Sequence, residues 1–211
     1  VLLRVPKNHT LTEYSMLERF PILQKAAERR MQLNDEKMTD EQILALGLLL
    51  LQRSDGRQHE VLGTLPKRHY SVLNMPNSFV SLLPNCYQRV VTSFRGYCNQ
   101  MYEGIKESLL SLDGGQTAMD DISKEDFEWA FATVRSRCAC METDSEMKKN
   151  TQLGSLISPA ADGEMSVLLP GFDLLSHRYG AQSSLSSNTE EYIRRSDNHY
   201  KKGDQIFISY G

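Results

Sequence analysis

Long apolar runs are missing from this sequence. The longest, Ile43 to Leu51, has nine residues, whereas a bilayer-spanning helix needs about twenty, so no membrane span is expected. Cysteine is scarce too. Cys86, Cys98, Cys138 and Cys140 are the only four in 211 residues, too few for a disulfide-stapled fold, and none forms a CxxC pair of the kind zinc sites use. Reduced thiols in the cytoplasm or nucleus are the straightforward reading. Excess positive charge is absent: Lys plus Arg total 24 against 27 Asp plus Glu, a net charge of -3. That balance argues against a dedicated nucleic-acid binder, which needs clustered cations for the phosphate backbone. Gly114 and Gly115 follow a helical pattern instead of joining a strand to a helix, so no phosphate-cradling loop is indicated. Ser183, Ser184, Ser186 and Ser187 lie outside any GxSxG turn, which leaves a serine hydrolase unsupported.

What is present suffices for a core. Hydrophobic residues make up 40% and charged residues 24%, a balance that suits one packed domain, with or without a large insertion. The opening VLLRVP reads as a short strand closed by Pro6. From Tyr14 the pattern becomes helical, with Met16, Leu17 and Phe20 on one side, and Pro21 ends or restarts the helix. Thr39 and Gln42 have capping-box spacing just before the apolar run Ile43 to Leu51, which predicts a helix buried on all sides. Pro66, Pro76 and Pro84 then divide the chain into short segments and turns. The longest periodic stretch follows, with Tyr87, Val90, Val91, Phe94, Cys98, Met101, Ile105, Leu109 and Leu112 at helical spacing, and Asp113-Gly114-Gly115 stops it. Ser123 and Asp126 cap another helix that carries Phe127, Ala130, Phe131 and Val134 on one face. Residues 142–164 are polar and read as a long surface loop. Ser166–Leu169 and Gln205–Tyr210 read as strands, the second placing Ile206, Ile208 and Tyr210 on one face and Phe207 and Ser209 on the other. The fold class is therefore α+β, a helical block inserted into a β unit. A chain that starts on VLLRV and stops on FISYG is expected to be a fragment.

Chemistry-bearing residues concentrate late. Asp173 and His177 are four apart, the spacing of a metal pair on a helix, but no third ligand accompanies them and no metal site is expected. Three segments carry more information together: WAFATVRSRCACM at Trp129 to Met141, LLPGFDLLSHR at Leu168 to Arg178, and YKKGDQIFISYG at Tyr200 to Gly211. In order and wording they resemble SET-domain methyltransferases of the RuBisCO large-subunit methyltransferase-like branch. There, a Trp helix ending in Ser/Thr-Arg is followed by Pro-x-x-Asp-x-x-Asn-His and by Gly-Asp/Glu-x-hydrophobic-x-Ile-x-Tyr-Gly. The resemblance covers nearly the whole chain.

The resemblance implies a SET fold of short β-sheets, truncated at both ends, spanning 1–211 with a helical insertion over 14–135 and a flexible polar loop over 142–164. It implies a protein-lysine N-methyltransferase that uses S-adenosyl-L-methionine and no metal, acting on a histone or non-histone protein substrate. Arg137, Asp173, Ser176, His177 and Tyr210 would contact the cofactor or shape its pocket, and Tyr210 would stand at the methyl-transfer channel. Tyr192 and Tyr200 would line that channel or simply pack. The donor is a sulfonium cation, which oxygens and aromatic faces can surround, and an apolar channel favours the neutral, nucleophilic lysine amine. One residue departs from the pattern. Ser176 stands where the family has Asn, and a serine offers one hydroxyl instead of an amide donor and acceptor. A lost hydrogen bond of that kind costs about 1–3 kcal/mol. A non-catalytic interaction module with a degraded cofactor site is therefore an alternative, and histidine methylation a narrower one.

Overall fold

The computed structural model describes residues 1–34, 36–54, 59–119, 122–142, 151–158, 164–196 and 198–209. Strand β1 (Leu3–Pro6) and the short β2 (Leu11–Thr12) come first. Between β2 and β3 (Cys138–Glu142) lies the helical block: α1 (Glu13–Arg19), α2 (Pro21–Asn34), α3 (Asp40–Ser54), α4 (Glu60–Thr64), α5 (Asn77–Val80), α6 (Asn85–Leu110), α7 (Gly115–Met119) and α8 (Lys124–Arg137). Helix α9 (Thr151–Leu156) and strands β4 (Glu164–Leu168), β5 (Ser176–His177), β6 (Ser183–Ser187), β7 (Glu191–Ser196) and β8 (Phe207–Ile208) complete the chain.

Helix boundaries follow from local chemistry. Thr12 and Ser15 exchange reciprocal side-chain-to-backbone hydrogen bonds at the start of α1, as do Thr39 and Gln42 at α3 and Ser123 and Asp126 at α8. Each pair satisfies amide donors that the first turn leaves orphaned. Pro21 opens α2, where its missing N–H costs nothing. Every residue of α3 from Gln42 to Leu51 is buried, so this helix forms the axis of the larger core, packed by Met16, Leu17, Phe127, Phe131 and Val134. Gly47 is required there. A β-carbon at that position would lie 2.6 Å from Met16 Cγ, so α1 can approach α3 only over a glycine.

Three small sheets carry the rest. One has the order β1-β7-β6, one β2-β4-β3, and the last pairs β5 with β8. The first two are antiparallel, with Val5 opposite Tyr192 and Cys138 opposite Leu168. β5 and β8 run parallel, with Ser176 opposite Phe207 and His177 opposite Ile208. A second, smaller core of Val5, Met141, Met165, Val167, Leu169, Phe172 and Tyr192 lies between the sheets.

Three features depart from the sequence reading. Within 142–164, read as an irregular loop, Thr151–Leu156 is helical. Leu153, Leu156 and Ile157 are buried in the main core, because an apolar i, i+3 pair supplies a packing face even in a polar stretch. The hairpin β6–β7 carries few apolar side chains on β6, whose run of serines hid a strand held by backbone pairing across Asn188. Finally, Tyr87 and Val90 lie on the outside of α6, at 61% and 64% exposure, so the inward face of that helix begins only at Val91. Among the described residues no helix is long and apolar enough to cross a membrane.

Candidate functional site

The end of α8, the turn after β4 and the parallel pair β5–β8 converge. Pro170 and Gly171 reverse the chain after β4, and Gly171 adopts φ +79°, a left-handed conformation that a side chain would strain. The 3-10 turn Phe172–Leu174 that follows carries Asp173 inward, its side chain 5% exposed. Arg137, the last residue of α8, reaches across 36 positions to pair with it through Nη1 and Oδ2. One ion pair therefore joins the two motifs. Arg137 Nε and Asp173 Oδ1 are buried and keep unused hydrogen-bonding capacity, an arrangement that suits polar groups of a bound ligand.

Ser176 and His177 lie in β5, beside Phe207 and Ile208 of β8. The Ser176 hydroxyl accepts from Gln205 Nε2 at 2.7 Å, so its own hydrogen is still available for donation. The backbone N–H of Arg178 donates to the Ile208 carbonyl at 3.0 Å, and its guanidinium stacks over Phe207, 4.6 Å from the ring centre. His177 is exposed. Because Asp173 lies in a 3-10 turn and His177 in a strand, they do not share the helical face that the metal spacing assumed. Among the described residues no group of three or more His, Cys, Asp or Glu side chains is placed to hold a metal ion. Tyr210 lies outside the described residues; Ser209, just before it, is described. Tyr192 is buried in the smaller core, while the Tyr200 hydroxyl donates to the Phe207 carbonyl at 3.5 Å.

Sequence reasoning missed His69. The α8 face that ends in Arg137 carries Trp129 and Thr133 at four-residue steps. Trp129 Nε1 donates to the Pro66 carbonyl at 2.9 Å, and the Thr133 hydroxyl donates to the Trp129 carbonyl at 2.9 Å. Thr133 Oγ1 has thereby used its hydrogen, so it accepts from His69 Nε2 at 2.7 Å, which fixes the Nε2–H tautomer of the neutral ring. Burial pushes the His69 pKa down, and the Arg137 charge adds to this, so the ring is neutral around neutral pH. These contacts tie segment 65–76 to α8. Together they wall a cleft of about 800 Å³ lined by Leu62, Pro66, His69, Leu73, Trp129 and Ala132. No local signal in sequence links His69 to Thr133; the i, i+4 series Trp129-Thr133-Arg137 is the one pattern that could have drawn attention to this helix face.

No protein-family model and no curated protein matches the sequence. Solved structures do. The SET domain of LSMT bound to methyllysine and AdoHcy superposes with a TM-score of 0.72 at 19% identity, covering 100% of this chain and 43% of that one. The structure of Rubisco LSMT bound to AdoMet superposes with a TM-score of 0.67 at 18% identity and the same coverage. This chain thus spans less than half the length of the structures it matches. Superposed over 100% of its length at a TM-score of 0.72, this chain has the SET-domain fold.

Proposed function

We propose that the chain belongs to a protein-lysine N-methyltransferase that uses S-adenosyl-L-methionine. Within the RuBisCO large-subunit branch, its wording at LLPGFDLLSHR and GTLPKRHYSV is most similar to SET domain-containing protein 4. The observation that carries the reading is the parallel pairing of β5 with β8, which sets Ser176 and His177 beside the strand that leads to Tyr210. The Arg137–Asp173 pair supports it by bringing the Trp-helix motif to the same turn. So does the fold shared with SET domains whose structures hold AdoMet, or AdoHcy with methyllysine.

In this reading Arg137, Asp173, Ser176 and His177 hold the cofactor. Their unfilled capacity at Arg137 Nε, Asp173 Oδ1 and the Ser176 hydroxyl suits its polar groups. When bound, the cofactor supplies the methyl group to be transferred to a lysine amine. The chain's own contribution is positioning: Arg137 and Asp173 fix the turn before β5, and Tyr210 aligns the acceptor amine at the channel. The cleft between segment 65–76 and α8 forms one wall of the groove for the substrate protein, histone or non-histone, in the cytoplasm or nucleus. The serine at position 176, where the resembled family has Asn and which offers one hydroxyl in place of an amide, favours a second reading, an interaction module with a degraded cofactor site.

Incubation with methyl-tritiated S-adenosylmethionine and an array of lysine peptides separates the two readings. Label incorporated by the parent and reduced at least a hundredfold in Tyr210→Phe supports the transferase. A parent chain that neither binds the cofactor nor incorporates label favours the module.

A further inference from the structure

Arg194 sits inside β7 on the same face as Tyr192 and is only 8% exposed. It is a buried cation without an acid: among the described residues no carboxylate pairs with it. Burial pushes its pKa below the ordinary arginine value, as expected where a charge loses water. The strand alone does not call for arginine. An aliphatic side chain facing Leu3 and Leu185, its cross-strand neighbours, would fill the position without that desolvation cost.

The guanidinium's attachments are distinctive. Nη2 donates to Ser183 Oγ at 2.6 Å, which anchors it to β6. The same nitrogen makes a long hydrogen bond of 3.4 Å to the Ser209 carbonyl. The cation also lies 5.5 Å from the centre of the Phe172 ring, the residue before Asp173 in the 3-10 turn. Nε is buried and unpartnered, a further cost that only a required geometry would sustain. One side chain therefore touches β6, the turn that carries Asp173 and the Ser209 backbone.

We propose that Arg194 is a positioning residue that fixes the Ser209 carbonyl, at the last described position before Tyr210 in sequence, against the Asp173 turn. Its functional consequence rests on reading Tyr210 as the channel tyrosine; the clamp itself does not. A planar guanidinium can span several acceptors and an aromatic face at once, whereas a lysine ammonium serves as a point charge. Arg194→Met should therefore release the Ser209 carbonyl more fully than Arg194→Lys.

Hydrogen exchange read by mass spectrometry on the whole chain tests the clamp. Peptides covering 205–211 should exchange at least tenfold faster in Arg194→Met and about threefold faster in Arg194→Lys, with α3 and α8 changed less than threefold. Unchanged exchange at 205–211, or acceleration spread equally over the helices, overturns the proposal. Should Arg194→Met not fold, the lysine variant decides by the same comparison. With tritiated S-adenosylmethionine and the lysine-peptide array, kcat should fall about tenfold in Arg194→Met, with cofactor Kd within threefold of the parent, and recover in part in Arg194→Lys. Loss of kcat and cofactor binding together would mean a merely structural role. If the parent transfers no methyl group, the functional reading falls, and the exchange experiment still decides the clamp.

Discussion

Glu13 is the first residue of α1 and is 2% exposed, one of the few acids inside the molecule. Burial pushes its carboxyl up to about 8 from 4.5, and the Asp40 carboxylate adds to the rise, while backbone hydrogen bonds from Glu13 and Ser166 oppose it. Oε2 has no hydrogen-bond partner, so the folded state holds a neutral acid there at neutral pH. The sign follows from linkage. Between pH 4.5 and 8 the folded chain keeps a proton that the unfolded chain has released, so stability falls as pH rises through that window. The slope approaches about 1.4 kcal/mol per pH unit, which accumulates to about 3 kcal/mol at pH 7. Glu13→Gln keeps the shape and the acceptor oxygen but has no proton to lose. Urea unfolding of parent and variant across pH 5–9 should therefore show a gap that widens steadily in favour of Gln, from less than about 1 kcal/mol at pH 5 to about 3 kcal/mol at pH 7. Other titrating groups are common to both chains and cancel in the difference. Parallel stability curves would refute the assignment of a neutral Glu13.

Two further outcomes concern the site directly. Asp173→Asn leaves Arg137 without its partner, and because Asp173 is nearly inaccessible the loss should be about 3 kcal/mol in chemical unfolding. Combining it with Arg137→Met should recover much of that loss, since the uncompensated charge is then gone; no recovery would mean that the pair is not the cause. Ser176→Asn should tighten S-adenosylmethionine about ten- to hundredfold in calorimetry, the worth of a restored hydrogen bond, and unchanged affinity would show that the Ser176 side chain does not face the cofactor.

The helical block was legible because its signals are local. Thr39 with Gln42 and Ser123 with Asp126 announce helix starts within four residues, and the run Ile43 to Leu51 announces burial. Motif resemblance assigned Arg137 and Asp173 to one pocket, but the ion pair between them was not legible, since nothing within either segment specifies a partner 36 positions away. The strand β6 was hidden because Ser183, Ser184, Ser186 and Ser187 give no apolar alternation, and its order comes from pairing with β7. Leu153, Leu156 and Ile157 were too few to outweigh their polar surroundings. His69 and Arg194 were invisible for a related reason: each acquires its role from contacts made only after distant elements have packed. The exposure of Tyr87 and Val90 shows the limit of periodicity itself, which identifies a helix but not how far along it a partner extends.

The central claim, that Arg137, Asp173, Ser176 and His177 form an S-adenosylmethionine site, is tested most directly by a thermal-shift titration of the parent chain and His177→Ala. A ligand that binds only the folded state stabilises it by about 2.7 kcal/mol at a hundredfold excess over its dissociation constant. The melting temperature of the parent should rise saturably with S-adenosylmethionine, and His177→Ala should lose that rise. An equal rise in both chains would contradict the assignment, because the cofactor would then be bound elsewhere.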